Sequence, residues 1–143
     1  HLVSLLIMIS IILGMRVVGN GQKFKVFEYN CILRRVVDGD TIDVDVDLGF
    51  KVFLVKERVR LMGIDTPESR TRNLAEKDLG LASKQMLKDL LPKKFIIRTH
   101  KDGKGKFGRI LGEPIVDGIN ICDRMIELGH ARSYYGGTKV PWV

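Results

Sequence analysis

With 143 residues, 45% of them apolar, the chain can bury one hydrophobic core and fits a single folded domain. The 24 lysines and arginines against 17 acidic residues give a formal charge of +7, which favours a polyanionic partner through long-range attraction. Cys31 and Cys122 lie far apart and belong to no CxxC or Cys/His cluster, which argues against a zinc site; both read as small buried hydrophobes, with a disulfide open to them in an oxidising compartment.

Leu2 to Leu13 is apolar except for Ser4 and Ser10, shorter than the about 20 residues of a membrane helix. Two readings stand. The run is the core of a secretion signal, which places the protein outside the cell or on a membrane, or it precedes a coding start at Met15, which places it in the cytoplasm. On either reading, residues 1–21, ending in Gly19-Asn20-Gly21, form a terminal segment and linker, the folded domain spans 22–143, and residues 1–14 are expected to be dispensable.

Tyr29 to Val37 is rich in β-branched and apolar residues and predicts a strand, followed by a turn at Asp38-Gly39-Asp40. Thr41 to Asp47 alternates strictly. Ile42, Val44 and Val46 face inward, and Asp43, Asp45 and Asp47 face out as a solvated row, since the glycine and terminal glutamate of an EF-hand are missing. Leu48 to Lys56 extends the hairpin and Glu57 to Ile64 returns as a third strand. Pro67, which lacks an N–H, is expected to end it at Asp65 and Thr66.

Leu74 to Leu91 predicts a helix, with Leu74, Leu79, Leu81, Met86, Leu87 and Leu90 among its apolar positions and Pro92 as a stop. Gly80 inside it costs roughly 1 kcal/mol relative to alanine, which implies close packing against the sheet. Phe95 to Thr99 is a fourth strand, Lys101 to Lys106 a basic glycine-rich turn, and Arg109 to Val116 a fifth strand. A second helix runs from about Asn120 to Leu128, with Gly129 as its C-cap. Five strands with helices after the third and the fifth fit a closed barrel of the OB type, in the α+β class; a sandwich or a split sheet fits the same order.

The chemistry concentrates in Arg60-Leu-Met-Gly-Ile-Asp65-Thr66-Pro67-Glu68. Pairing of the second and third strands would bring Asp40 against Asp65. Two carboxylates with a main-chain carbonyl and water make an oxygen-only site, suited to calcium or magnesium rather than zinc or copper. Arg109, in Lys106-Phe107-Gly108-Arg109, supplies a second guanidinium, and two of these match the paired oxygens of a phosphodiester. Glu68 can accept a proton from an attacking water.

These residues resemble the staphylococcal nuclease (thermonuclease) family. The likeness rests on Val37-Asp-Gly-Asp40-Thr41, on Arg60 through Glu68, on Glu76-Lys77 with Gly80 and Ala82, and on Lys106 through Arg109, and covers roughly residues 30–135. It implies an OB barrel with added helices and calcium-dependent hydrolysis of DNA and RNA that leaves 3′-phosphate ends. By the same resemblance Asp40, Asp65 and the Thr66 carbonyl bind calcium, Glu68 is the general base, and Arg60 and Arg109 hold the phosphate. Lys106 and Phe107 contact substrate, and Tyr135 stacks on a base. A monomer acting on single-stranded polymer, with no stable protein partner, is the expectation.

Three departures from the family pattern stand out. Phe107 replaces a tyrosine, the link between the second and third strands is longer, and Trp142-Val143 stands where a third helix is expected, leaving the cleft wall and its stability open. The rival function is a catalytically silent OB module that binds nucleic acid or a protein. Retention of Asp40, Asp65, Arg60, Glu68 and Arg109 favours the enzyme.

Overall fold

In chain order, the computed structural model contains strands β1 (Met15–Val17), β2 (Lys25–Asp38), β3 (Thr41–Asp47), β4 (Phe53–Leu61) and β5 (Ile64–Asp65), then helix α1 (Leu74–Leu90). Strands β6 (Lys94–Thr99), β7 (Ile110–Val116) and β8 (Ile119–Asn120), helix α2 (Ile121–Glu127) and strand β9 (Arg132–Ser133) complete it. Residues 15–17, 25–100 and 108–143 are the ones described.

The large sheet runs β1-β2-β3-β4-β7-β6, and β6 pairs back onto β2 from Phe27↔Thr99 to Ile32↔Lys94. That last ladder closes five strands into a barrel and decides against the sandwich and the open split sheet. Closure leaves no free edge among the five, and β4 against β7 is the parallel pair where the chain crosses over. Alternation fills the interior as expected: Ile42, Val44 and Val59 are fully buried, joined by Leu61, Ile97, Leu87 and Met125. Cys31 and Cys122 are free and buried in this core, and burial pushes the Cys31 thiol up to about 12.

Both helices start on an asparagine whose side-chain oxygen accepts two backbone N–H groups, Asn73 from Ala75 and Glu76, Asn120 from Cys122 and Asp123. Such a cap contributes about 1 kcal/mol. Gly129 ends α2 at φ +78, a left-handed position that glycine occupies without strain.

The structure corrects four expectations. Strand β4 ends at Leu61 and the chain turns at Met62-Gly63, with Gly63 at φ +78, before the short β5; the break precedes Pro67 and is set by glycine. The outward aspartates are not a solvated row: Asp45 is buried, 2.6 Å from Arg34 and bonded to the Lys56 N–H, while Asp43 binds Arg58 and Arg35. Helix α1 buries Gly80, Ser83 and Leu87, leaving Leu74, Leu79 and Leu81 exposed. Gly80 packs on the Glu68-Ser69 backbone rather than on the sheet, since a Cβ there would lie 2.4 Å from the Glu68 carbonyl.

Candidate active site

Strand pairing brings the first two groups together. Thr41 and Arg60 face each other across β3 and β4, and the Leu61 N–H donates to the Asp40 carbonyl at 2.8 Å. Arg60 then folds back over the Met62-Gly63 turn, donating to the carbonyls of Leu61 (2.7 Å) and Ile64 (2.8 Å). Those two bonds fix a guanidinium whose Nη2 lies 3.3 Å from Asp40 Oδ2 and 3.8 Å from Asp65 Oδ1. Asp65 is held by the β5–β9 ladder, opposite Arg132. Asp40 accepts from Thr41 Oγ1 at 2.9 Å and from the Thr66 N–H at 3.3 Å, and Asp40, Asp65 and Thr66 are all buried.

Helix α1 covers this end of the barrel at two glycines. A Cβ on Gly39 would meet Ser83 Cβ at 2.8 Å and Thr66 Oγ1 at 2.9 Å, so the Asp38-Gly39-Asp40 turn can lie against the helix only as glycine. Gly80 does the same for the loop of Glu68, whose neighbour Ser69 donates its N–H to Asp38 at 3.3 Å. Partial burial raises the Glu68 carboxyl above its ordinary value, and the nearby Asp38 and Asp40 charges add to the rise.

Two small cavities flank the carboxylates. One, about 350 Å³, is lined by Arg60, Gly63, Arg109, Tyr134, Tyr135 and Lys139. The other, about 160 Å³, is lined by Asp65, Thr66, Glu68, Glu76, Lys139 and Trp142. Arg60, Arg109 and Tyr135 therefore share one groove, and Asp65, Thr66 and Glu68 the next. The Tyr135 ring is 84% exposed and lies over Gly63, where a Cβ would come within 3.0 Å of its hydroxyl. Lys106 and Phe107 lie outside the described residues. A larger cavity, about 890 Å³, sits around Cys31, Leu91 and Phe95 and contains none of these groups.

Sequence reasoning missed Lys139, Trp142 and Arg132. Lys139 Nζ lies 2.9 Å from Asp65 Oδ1, and Trp142 Nε1 donates to Asp65 Oδ2 at 3.1 Å. Arg132 stacks 3.8 Å from the centre of the Trp142 ring and donates to the carbonyls of Val140 and Pro141. Residues 139–142 line one side of the smaller cavity beside Asp65. The one signal for this return in the sequence was Gly136-Gly137, both at positive φ.

Among the described residues, no three His, Cys, Asp or Glu side chains gather around a metal position. The donors present are two carboxylates beside the Thr66 main chain, all oxygen, as a hard divalent cation prefers. Thr66 Oγ1, buried among them, has no hydrogen-bond partner, and both carboxylates are met by cations, Arg60 and Lys139. This donor set fits such an ion.

The profile of the family described as Staphylococcal nuclease homologue matches residues 58–140. The chain belongs to this family. It is 29% identical to Endonuclease YhcR of Bacillus subtilis (strain 168) over 116 residues, 76% of this chain and 9% of that protein. It is 36% identical to the Thermonuclease of Staphylococcus intermedius over 81 residues, 56% of this chain and 45% of that one. With Endonuclease YncB of Bacillus subtilis (strain 168) the identity is 32% over 108 residues, 74% of this chain and 48% of the relative. The chain thus spans less than half the length of each of these three relatives. The matched stretch of this nuclease-family chain holds Arg60, Asp65, Thr66, Glu68, Arg109, Tyr135 and Lys139, while Asp40 precedes it.

Proposed function

We propose that the chain is a calcium-dependent nuclease that hydrolyses phosphodiester bonds in DNA and RNA, acting as a monomer on single-stranded polymer. The observation that carries this reading is one fixed guanidinium, 3.3 Å from Asp40 and 3.8 Å from Asp65, opening onto a groove shared with Arg109 and Tyr135. Names such as endonuclease and thermonuclease among the relatives support it.

Asp40, Asp65 and the Thr66 carbonyl would hold the calcium. The ion supplies positive charge that offsets the charge of the phosphate and makes water more acidic. Glu68, raised in basicity by burial and by Asp38 and Asp40, takes the proton of the attacking water. The guanidinium groups of Arg60 and Arg109 hold the phosphate oxygens and stabilise the charge that grows on them. Tyr135 offers an exposed ring on which a base stacks, and Lys106 and Phe107 extend the contact along the strand. The net charge of +7 draws the polymer in.

A binding module without catalysis is the second reading, and it draws on Lys139 and Trp142 engaging Asp65. Purified protein incubated with single-stranded DNA, in calcium, in magnesium and in chelator, separates the two. Cleavage in calcium that stops in chelator is expected. Full cleavage in excess chelator overturns the metal dependence, and binding without cleavage in every condition favours the module.

A further inference from the structure

Asp65 is bound on both carboxylate oxygens by one short stretch of chain. Lys139 Nζ sits 2.9 Å from Oδ1 and Trp142 Nε1 donates to Oδ2 at 3.1 Å. The stretch is fastened independently of those bonds. Arg132 stacks on the Trp142 ring at 3.8 Å and donates to the carbonyls of Pro141 at 3.2 Å and Val140 at 3.4 Å, while the Lys139 ammonium lies 5.3 Å from the centre of the Tyr134 ring. Lys139 also lines both small cavities, the acidic hollow and the arginine groove.

We propose that residues 139–142 are a built-in strap whose lysine stands in the place of the cation: the ammonium of Lys139 and a divalent ion compete for Asp65, and the ion binds by displacing the strap. The inference rests on the reading of Asp40 and Asp65 as a cation site. Its physical basis is that a buried carboxylate needs positive charge beside it, and a tethered ammonium supplies that charge at high effective concentration. An ion must then overcome a partner already in position. When the strap leaves, Asp65 keeps the Arg60 guanidinium 3.8 Å away and exchanges the Lys139 ammonium for the ion.

Trp142 is the only tryptophan in the sequence, so its fluorescence reports the strap directly. The experiment titrates the metal-free full chain with calcium chloride alone, following tryptophan emission and, in parallel, heat of binding. It compares the parent protein with Lys139→Met, which keeps the stem of a half-exposed side chain and removes its charge, and, by heat of binding alone, with Trp142→Phe, which removes the indole donor and with it the emission. Saturable change of emission in the parent protein is expected, with calcium affinity rising about tenfold in Lys139→Met and by a smaller factor in Trp142→Phe. Calcium binding by heat with unmoved emission and with equal or weaker affinity in both variants overturns the strap and leaves the cation site standing. No heat of binding in any of the three proteins, each shown folded by circular dichroism, overturns the cation site and the strap together.

Discussion

The β3–β4 hairpin has two ends that share strands and pairing but differ in everything that covers them. At the Asp40 and Arg60 end, Val59 and Leu61 are buried, and helix α1 presses on the neighbouring loops through Gly39 and Gly80. At the other end, Gly49, Phe50 and Lys51 take left-handed backbone angles of +81°, +55° and +63°, and Phe50 is 98% exposed. Strand pairing therefore does not by itself make a rigid site. Rigidity at the first end comes from residues far away in sequence, which hold the turns of Asp40, Asp65 and Glu68 while the opposite tip is left to its local backbone.

The largest effect is expected where that rigidity is concentrated. Arg60→Lys keeps the charge but loses the planar fork and the paired bonds to Leu61 and Ile64, so turnover should fall by at least two orders of magnitude, about 2.7 kcal/mol. Single-turnover cleavage of a labelled oligonucleotide in saturating calcium measures it, with thermal unfolding run alongside. Near-full turnover would show that Arg60 serves only as a generic basic contact.

How much of this was legible in the sequence follows the same division. Alternation in β3 placed Ile42, Val44 and Val46 inside, because a two-residue period is a local property of the chain. Asp40 and Asp65 do share Arg60, but Asp65 reaches it through the Met62-Gly63 turn and the short β5, not through the pairing of the two strands. What was not legible depended on contacts between distant segments. Leu74, Leu79 and Leu81 satisfied a helical pattern and are exposed, because the buried face of α1 is chosen by Glu68, Ser69 and Gly39, which demand small residues at Gly80 and Ser83. Trp142 reaches Asp65 across 77 positions through a fold of the chain at Gly136-Gly137 that no periodicity announces. Asp43 and Asp45 obeyed the outward pattern, yet arginines on the neighbouring strands cover them, and alternation alone cannot distinguish water from an ion pair.

Glycine substitutions at the two ends sharpen the contrast. Gly80→Ala gains helix propensity but drives a methyl into the Glu68 backbone at 2.4 Å, and backbone cannot step aside as a flexible side chain can. A net loss of about 1–3 kcal/mol is expected by urea unfolding, together with a drop in turnover as Glu68 shifts. Gly49→Ala meets nothing within 4 Å and costs only its left-handed backbone, about 1–2 kcal/mol. Turnover should be unchanged in that variant, and a loss there would show that the far tip does communicate with the site.

Acid should act on the barrel wall between the two ends. The hydrogen bonds from Arg58, at 2.8 and 3.0 Å, hold the Asp43 carboxyl below its ordinary value, with Arg35 adding to the effect. A lowered folded value means that this stability is present above the unfolded pKa, about 3.9, and is lost as pH falls through the lower folded one. Asp43→Asn should therefore lower the melting temperature at neutral pH and flatten its decline in acid. Parallel acid limbs in the parent protein and the variant would show that the pair contributes nothing.

The smallest effect is expected at Phe50, and its sign is the informative part. Its ring is almost wholly in water, so removing it takes away no core contact, and substitutions at such positions usually stay within about 0.5 kcal/mol. Its backbone, however, lies at φ +55, a region that asparagine enters more readily than a bulky side chain because its short polar group can bond locally. Phe50→Asn should therefore raise the urea midpoint slightly, leave cleavage unchanged, and reduce any self-association through the exposed tip. A clear loss of stability would mean that Phe50 is covered in solution, and the uncovered end of the hairpin would have to be redrawn as a contact surface.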